Sequence, residues 1–415
     1  MSKDLVASVS ALPRTRVRRV LQVCPYMHPS AGGPPVVVRR LAENASRFGW
    51  DASILTTSLM CPDDGTELYA ELSREFDIKV LPIDRPRLLG HASTAAEALN
   101  DAVRAADLVH IHTLWHPLNT IARRACQRHN VPYVLSPHGM LDPFAMSIRA
   151  LKKSVYLRLI ECRNLREAEL VVFATNEERQ LAGRTLGRFL HSEVVLLGAD
   201  DPADRCSTIT DATVRRRFRD GADGRRILFL SRLHPKKNLE TLFRSMKLVV
   251  ERHADAHLFI AGSGARIYEK TLDDMVRELG ISSNVTFTGF LRDEEKWAAM
   301  SAADIFVLPS LQENFGISIA EALHAGLPVL VGQGVNISED IAKASAGRVL
   351  CDCMSEVELA RQIVELFEDR DLRERMGRNA TRLATERFNW LESARCHYEL
   401  YERALALDPC ERSPI

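Results

Sequence analysis

Two cations and two carboxylates in the second half of the chain have the types and spacing needed to hold a phosphorylated ligand. Arg232 and Lys237 lie in the segment SRLHPKKNL, which directly follows an apolar run. A guanidinium fork and a mobile ammonium are well suited to bind a diphosphate together. Glu313 and Glu321 lie on either side of Gly316, so Glu313 belongs to a loop and Glu321 to the helix that follows. Free N–H groups at such a helix start attract anions, and the carboxylates accept hydrogen bonds from sugar or ribose hydroxyls. Each pair taken alone also fits solvated surface charges.

Glycine-containing turns follow other apolar runs of the chain. The AGSG segment around Gly262 lacks the third glycine of a dinucleotide fingerprint, so it is weak evidence for a nicotinamide enzyme. The backbone at Gly289 and Phe290 follows another strand end, where it either reads a nucleobase or forms a simple turn. In the first half, Gly32 and Gly33 follow the first apolar run.

Histidines gather at predicted strand ends of the first half. His138 lies beside a glycine in the segment SPHGM, a position that argues against a simply packed histidine. His110, His112 and His116 cluster around Trp115 and suggest metal ligands, but acidic partners are missing. We therefore expect no metal site and assign His112 and Trp115 a structural or acceptor-side role.

The elements that position these residues form two α/β units. Short apolar runs alternate with helical patterns up to residue 197, a polar stretch covers 200–225, and the alternation restarts at 227. Most runs are apolar on both faces, which predicts parallel strands covered on both sides. We expect an α/β fold with two Rossmann-like doubly wound domains, over 1–200 and 201–385, followed by a helical tail over 386–415. Ligands of such sheets bind at the carboxyl ends of strands, which here face a common cleft.

Composition excludes some classes of function. Lys plus Arg equals Asp plus Glu, 55 against 55, so the chain lacks the basic surplus of a protein that wraps nucleic acid. Nine scattered cysteines and the lack of a signal-like apolar segment predict a reduced cytoplasmic protein. The single D-x-D sequence, at 369–371, is interpreted as a charged helix junction rather than a metal site.

Taken together, these segments resemble glycosyltransferase family 4, the retaining nucleotide-sugar transferases with the GT-B fold. The likeness covers nearly the whole chain. SRLHPKKNL resembles the family's phosphate-binding segment, and Glu313 to Glu321 resembles its E-x7-E signature, followed by AGLPV. Gly32 and Gly33 resemble the family's glycine loop, and SPHGM its histidine segment. The segment LGAD at 197–200 resembles the one that closes the first domain, with Leu in place of the usual Asn.

The resemblance implies transfer of a hexosyl or mannosyl unit from a nucleoside-diphosphate sugar to an acceptor hydroxyl, with retention of configuration and without a metal or other cofactor. It implies catalytic roles for His138, Glu313, Arg232 and Lys237. The implied donor-binding residues are Gly32, Gly33, Arg232, Lys237, Gly262, Gly289, Phe290, Glu313, Asn314, Phe315, Gly316 and Glu321. The resemblance also implies that the C-terminal helix, over 391–405, crosses back to the first domain. The biological setting that it implies is the synthesis of cell-surface polysaccharide, such as exopolysaccharide, capsule or lipopolysaccharide.

The segment 149–166 points to the acceptor side. It holds six basic residues and one acidic residue, and Leu151, Val155, Leu159 and Cys162 recur in it at helical spacing. A basic amphipathic helix is typical of a membrane surface, although an ordinary domain helix with a solvated basic face fits equally well. We expect a glycan or lipid-linked oligosaccharide acceptor, and contact of this segment with the cytoplasmic face of the membrane as a peripheral protein.

Three alternatives remain open at this point. A nucleotide-sugar epimerase of the same fold is expected to carry a different set of histidines and acids. A phosphorylase needs a lysine site for its cofactor, which we do not find in the sequence. An inactive sugar-nucleotide-binding relative is disfavoured because Arg232, Lys237, Glu313 and Glu321 are all present.

Overall fold

The two predicted α/β units are present as two parallel sheets with flanking helices. The structure is a computed structural model, and it describes residues 16–61, 65–84, 92–187, 191–202, 218, 225–352 and 354–406. The described strands of the first sheet end at Val194, and those of the second begin at Arg226. Most of the polar connection predicted over 200–225 therefore lies outside the described residues, as does the end of the predicted tail.

The first sheet has the strand order β3-β2-β1-β4-β5-β6-β7, and its strands are all parallel. The order changes direction between β1 and β4, so the loops that follow these two strands open a crevice at the carboxyl edge. The bounds are β1 Arg18–Val23, β2 Trp50–Thr57, β3 Asp77–Leu81, β4 Leu108–His112, β5 Tyr133–Ser136, β6 Leu170–Phe173 and β7 Ser192–Val194.

The second sheet repeats this plan with the order β10-β9-β8-β11-β12-β13, again all parallel. Its change of direction lies between β8 and β11. The loop after β8 carries Arg232 and Lys237, and the loop after β11 carries Glu313, so the topology alone brings these side chains to one crevice. The bounds are β8 Arg226–Leu230, β9 His257–Ala261, β10 Val285–Gly289, β11 Ile305–Leu308, β12 Val329–Gly332 and β13 Gly347–Leu350.

Helices cover both faces of each sheet, which is why β4, β5, β6, β11 and β12 are buried along their whole length. The helices of the first half are α1 Gly33–Asn44, α2 Thr66–Glu75, α3 Ala95–Ala105, α4 Pro117–His129, α5 Pro143–Ser147, α6 Ala150–Tyr156, α7 Cys162–Arg166 and α8 Asn176–Leu186. Those of the second half are α9 Leu239–Arg252, α10 Arg266–Glu278, α11 Asp293–Ala302, α12 Ile317–His324, α13 Ser338–Lys343, α14 Glu356–Glu368, α15 Arg370–Arg387 and α16 Trp390–Ala406. The predicted helix junction at 369–371 is confirmed, because Asp369 caps α15 by accepting from the Leu372 N–H at 2.8 Å.

The last helix, α16, returns to the first sheet. Trp50 of β2 packs against Tyr398 and Tyr401 of α16, with ring centroids 5.9 and 5.6 Å apart. The Tyr398 hydroxyl donates to the Leu41 carbonyl at 2.8 Å, which fixes α16 against α1. The chain therefore crosses back as predicted. Within the described ranges, no helix is both long and apolar enough to cross a bilayer.

Candidate active site

The loops after β8 and β11 meet through an ion pair between two of the predicted catalytic residues. The Lys237 ammonium donates to Oε2 of Glu313, and the two side chains are 5% and 16% exposed. The Leu311 N–H donates to the Lys236 carbonyl at 2.9 Å, so the backbones of the two loops are also joined. The sequence assigned Lys237 and Glu313 to different parts of a ligand, whereas the structure joins them directly.

Burial lowers the pKa of Lys237 well below its usual value, and the positive charges of Lys236 and Arg232 lower it further. Glu313 supplies a negative charge beside this ammonium, and a neighbouring negative charge favours the charged form of a lysine. An anionic ligand that approached the three cations would favour the charged form of Lys237 in the same way. The site therefore has a cation whose charge is stabilised by the arrival of negative charge.

Arg232 is exposed and faces the first domain across the cleft. A Cβ atom added to Gly32 would lie 3.4 Å from Nε of Arg232, and Gly32 has a φ of +90° at the start of α1. A Cβ added to Gly33 would lie 3.6 Å from the side chain of Ile317, the first residue of α12. The glycine loop of the first sheet thus lies against the SRLHPKKNL segment of the second.

The AGSG turn supports the Arg232 loop rather than presenting an open cradle. A Cβ on Gly262 would overlap the Ser231 carbonyl oxygen, and Leu233 pairs with the turn through its N–H, which donates to Ser263 at 2.9 Å. The Gly262 N–H donates to the Gly289 carbonyl at 2.8 Å. Phe290, directly after Gly289, is 50% exposed.

The start of α12 carries the remaining predicted donor-binding residues. Gly316 caps the helix with a φ of +83°. The side chain of Phe315 is buried against Phe388, with ring centroids 5.4 Å apart, so only the backbone of Phe315 remains for a ligand. Asn314 lies at the domain boundary, where a Cβ added to Gly139 would come within 2.7 Å of its Cβ.

Glu321 has a partner that sequence reasoning missed. Lys296 of α11 donates to Oε1 of Glu321 at 2.5 Å, and the two side chains are 15% and 8% exposed. Burial raises the pKa of Glu321, and the Lys296 charge opposes that rise. Lys296 also lies 4.8 Å from the ring of Trp297. No motif in the sequence marks Lys296.

His138 lies at the end of β5 with a φ of +53° and remains partly exposed at the cleft. Burial lowers its pKa to about 3, and the neighbouring His397 contributes to this shift. Its Nε2 atom is 3.0 Å from Nδ1 of His112, whose own Nε2 is 2.7 Å from Oε1 of Gln22. The sequence assigned His112 a structural or acceptor-side role, and the structure places it, fully buried, behind His138.

Glu178 was also missed. This buried carboxylate accepts from the N–H groups of Ala174 at 2.7 Å and Gly139 at 2.5 Å, and it is hydrogen bonded to the Asn314 side chain. Burial raises its pKa to about 7, and these hydrogen bonds oppose the rise. The T-x-x-E capping pattern beginning at Thr175 marks Glu178 as a helix-start residue, but not as a cross-domain contact.

The structure also bears on two further sequence features, the candidate metal ligands and the segment 149–166. Among the side chains of the described residues, no three His, Cys, Asp or Glu groups are arranged to hold a metal ion. In the segment 149–166, Leu151, Val155 and Leu159 are 82%, 50% and 74% exposed along α6 and the π-helical turn that follows it. The ammonium of Lys153, one of the basic residues of this segment, donates to the Ala145 carbonyl at 2.5 Å and lies 5.6 Å from the Trp115 ring.

Two family models match this chain. The model described as "Glycosyl transferases group 1" matches residues 212–383, and the one described as "Glycosyl transferase 4-like domain" matches residues 32–199. The two matches include both sheets and the loops that meet in the cleft.

Relatives and solved structures agree with these matches. A GDP-mannose-dependent alpha-(1-6)-phosphatidylinositol monomannoside mannosyltransferase of Mycobacterium tuberculosis is 28% identical over 68% of this chain and 73% of its own length. A GDP-mannose:cellobiosyl-diphosphopolyprenol alpha-mannosyltransferase of Xanthomonas oryzae is 26% identical over 94% of this chain and 98% of its own. The structure of Anabaena HepE in complex with UDP-glucose has a TM-score of 0.74 at 21% identity, covering 93% of this chain and 99% of HepE. This structural likeness confirms the predicted two-domain GT-B fold.

Proposed function

Because the chain belongs to the group 1 glycosyltransferases of the family 4 type, we propose that it transfers a sugar from a nucleoside-diphosphate sugar to an acceptor hydroxyl. The observation that carries this proposal is the meeting of Arg232, Lys237 and Gly32 with the start of α12 in one cleft. Relatives named for GDP-mannose and a neighbour that binds UDP-glucose support a nucleotide-sugar donor.

The site is suited to stabilise a diphosphate leaving group. Negative charge builds on the diphosphate as the bond to the sugar breaks, and Arg232, Lys237 and the N–H groups after Gly316 are placed to attract it. A diphosphate near Lys237 takes over the role of Glu313 as the partner of the ammonium. Glu313 then accepts hydrogen bonds from hydroxyls of the donor sugar.

The cations supply the charge that a divalent ion supplies in other transferases, so we expect turnover without an added metal or cofactor. His138 contacts the donor sugar or its nearer phosphate, and Glu321 accepts from the ribose hydroxyls. We expect retention of the α configuration. The nucleobase of the donor is held near Gly289 and Phe290, and the side chain of Phe290 is half exposed.

In this proposal, the acceptor is a membrane-linked glycan. The exposed stripe Leu151, Val155 and Leu159 lies among the exposed basic residues Lys152 and Arg158. Apolar side chains enter the interfacial region of a bilayer while neighbouring cations contact anionic headgroups. Such docking at the cytoplasmic face of the membrane fits a lipid-linked oligosaccharide acceptor and the assembly of cell-surface polysaccharide.

A transfer assay tests the proposed reaction. Purified protein is incubated with a panel of UDP- and GDP-sugars and glycan acceptors, with and without EDTA, and the anomeric configuration of the product is determined by NMR. At least one donor is expected to give an α-linked product at equal rates in both conditions. Full dependence on Mg²⁺ or Mn²⁺, an inverted product, or only an epimerised nucleotide sugar would each contradict the proposal.

A vesicle assay tests the membrane surface. The double variant Leu151→Glu/Leu159→Glu is expected to lose sedimentation with vesicles of anionic phospholipid, because it puts two negative charges in the stripe. Ile267→Glu is the matched control, since Ile267 of α10 is 85% exposed on the other domain. Equal sedimentation of both variants and the wild type would refute membrane docking through this segment.

A further inference from the structure

We propose that His112 and Gln22 are positioning residues that hold His138 in a single tautomer, with a proton on Nε2 and the Nδ1 lone pair available to a ligand hydroxyl. The proposal rests on the proposed transfer reaction, in which His138 faces the donor. It adds two residues, His112 on β4 and Gln22 on β1, that touch neither the donor nor the acceptor. They act through the ring of His138.

The contacts form a continuous chain of hydrogen bonds. Nε2 of His138 lies 3.0 Å from Nδ1 of His112, and Nε2 of His112 lies 2.7 Å from Oε1 of Gln22. The Gln22 amide nitrogen is oriented to the Tyr401 hydroxyl at 3.4 Å, and that hydroxyl lies 2.7 Å from Nδ1 of His110. His112, His110 and Gln22 are fully buried, so water does not compete for these bonds.

The direction of these hydrogen bonds, that is, which nitrogen donates and which accepts, follows from the neutral state of the histidines. The titratable groups around His112 are His110 on its own strand, His138 after β5, and His397 and Tyr401 on α16. Burial lowers the pKa of His112 and of His110 well below the usual value, and neighbouring histidines lower it further. None of these groups is a carboxylate. Each ring therefore carries one N–H and one acceptor nitrogen.

The Gln22 carbonyl then sets the tautomers. A carbonyl oxygen only accepts, so Nε2 of His112 donates to it and Nδ1 of His112 is an acceptor. Nε2 of His138 must donate to that acceptor. The remaining ring nitrogen of His138, Nδ1, is thereby an acceptor in every molecule, and the ring is held at a fixed angle. A fixed acceptor binds a sugar hydroxyl with less loss of freedom than a rotating, mixed-tautomer ring.

A substitution that changes charge without changing shape tests the relay. Gln22→Glu keeps an acceptor toward His112 but places a carboxylate behind it, which favours an added proton on the His112–His138 pair. A protonated His138 has no acceptor on Nδ1. The kcat of Gln22→Glu is therefore expected to fall at acid pH, with an apparent pKa raised by at least about one unit relative to the wild type, while its rate near neutral to alkaline pH is retained. A pH–rate profile identical to that of the wild type would overturn the proposal.

A second pair of variants separates positioning from folding. His112→Asn retains an acceptor near the position of Nδ1, whereas His112→Phe does not, so the Phe variant is expected to lose about tenfold in kcat and the Asn variant less. Ile111→Val is the control for burial on the same strand, since Ile111 is a fully buried residue of β4 whose apolar side chain makes no hydrogen bond. Thermal melting of all three variants monitors stability. Equal kcat for the Phe and Asn variants, in folded protein, contradicts the relay, and inactive wild-type protein would instead contradict the transfer reaction.

Discussion

The buried carboxylate of Glu178 is expected to make the stability of the fold depend on pH in a way that one substitution removes. Glu178 accepts from the N–H of Gly139 and is bonded to Asn314, so it links the His138 turn of the first domain to the second domain. Burial raises its pKa from 4.5 to about 7. The proton is therefore bound more tightly in the folded than in the unfolded chain.

The sign and size of this pH effect on stability follow from the difference between the folded and unfolded pKa of Glu178. A carboxyl with a raised pKa contributes stability that is fully present below the unfolded value and is lost as the pH rises through the folded value. Between about pH 5 and about pH 8, the loss from Glu178 amounts to about 2–3 kcal/mol in the free energy of unfolding. Glu178→Gln has no such group, although it leaves one N–H donor without a good acceptor and lowers stability by an amount that does not depend on pH.

Urea unfolding at several pH values measures the effect. The difference in unfolding free energy between the wild type and Glu178→Gln is expected to shift by that amount in favour of the variant as the pH rises. Glu177→Gln is the matched control, because Glu177 is the preceding, partly exposed residue of the same helix. Parallel pH profiles for the wild type, Glu178→Gln and Glu177→Gln would refute the reasoning.

Two further substitutions test contacts around the cleft. Gly139→Ala places a Cβ 2.7 Å from Asn314 at a φ of +76°, so it is expected to lower kcat/KM by about tenfold or more in folded protein. Unchanged kinetics would contradict the close contact between Gly139 and Asn314. Lys296→Met leaves the buried Glu321 carboxylate without its ion pair and is expected to cost about 3–5 kcal/mol in urea unfolding. Lys343→Met, which breaks an exposed pair, is the control and is expected to cost less than about 1 kcal/mol, so equal losses would contradict the burial argument.

The sheets were predictable where strands are buried on both faces. Such strands give continuous apolar runs, and the run at 227–230 became β8 with one residue added. Strand β13, Gly347–Leu350, gives no continuous apolar run, because a glycine and an arginine interrupt its pattern at the edge of the sheet. The last apolar run of the first half, which ends at residue 197, extends past its strand, which ends at Val194, because β7 is an edge strand with a partner on one side only.

The candidate site was predictable to the extent that it follows from topology. Arg232, Lys237 and Glu313 follow strands at the change of direction in the sheet, so any chain of this order brings them together. The pairing of Lys296 with Glu321 could not be predicted, because the contact joins side chains from separate helices whose angle depends on packing. The contacts of Lys153 with the Ala145 carbonyl and the Trp115 ring could not be predicted for the same reason.

The central claim is that the cleft binds a nucleoside diphosphate through the cations of the second domain. Calorimetric titration of UDP and GDP in the presence of EDTA tests it without knowledge of the sugar or the acceptor. The wild type is expected to bind one of the two, and Arg232→Ala to bind it about 10–100-fold more weakly, through loss of a charge-assisted hydrogen bond. Lys270→Ala, on the exposed face of α10, is expected to bind as the wild type does. Equal affinity in Arg232→Ala and the wild type, or no binding of either nucleotide, would contradict the account.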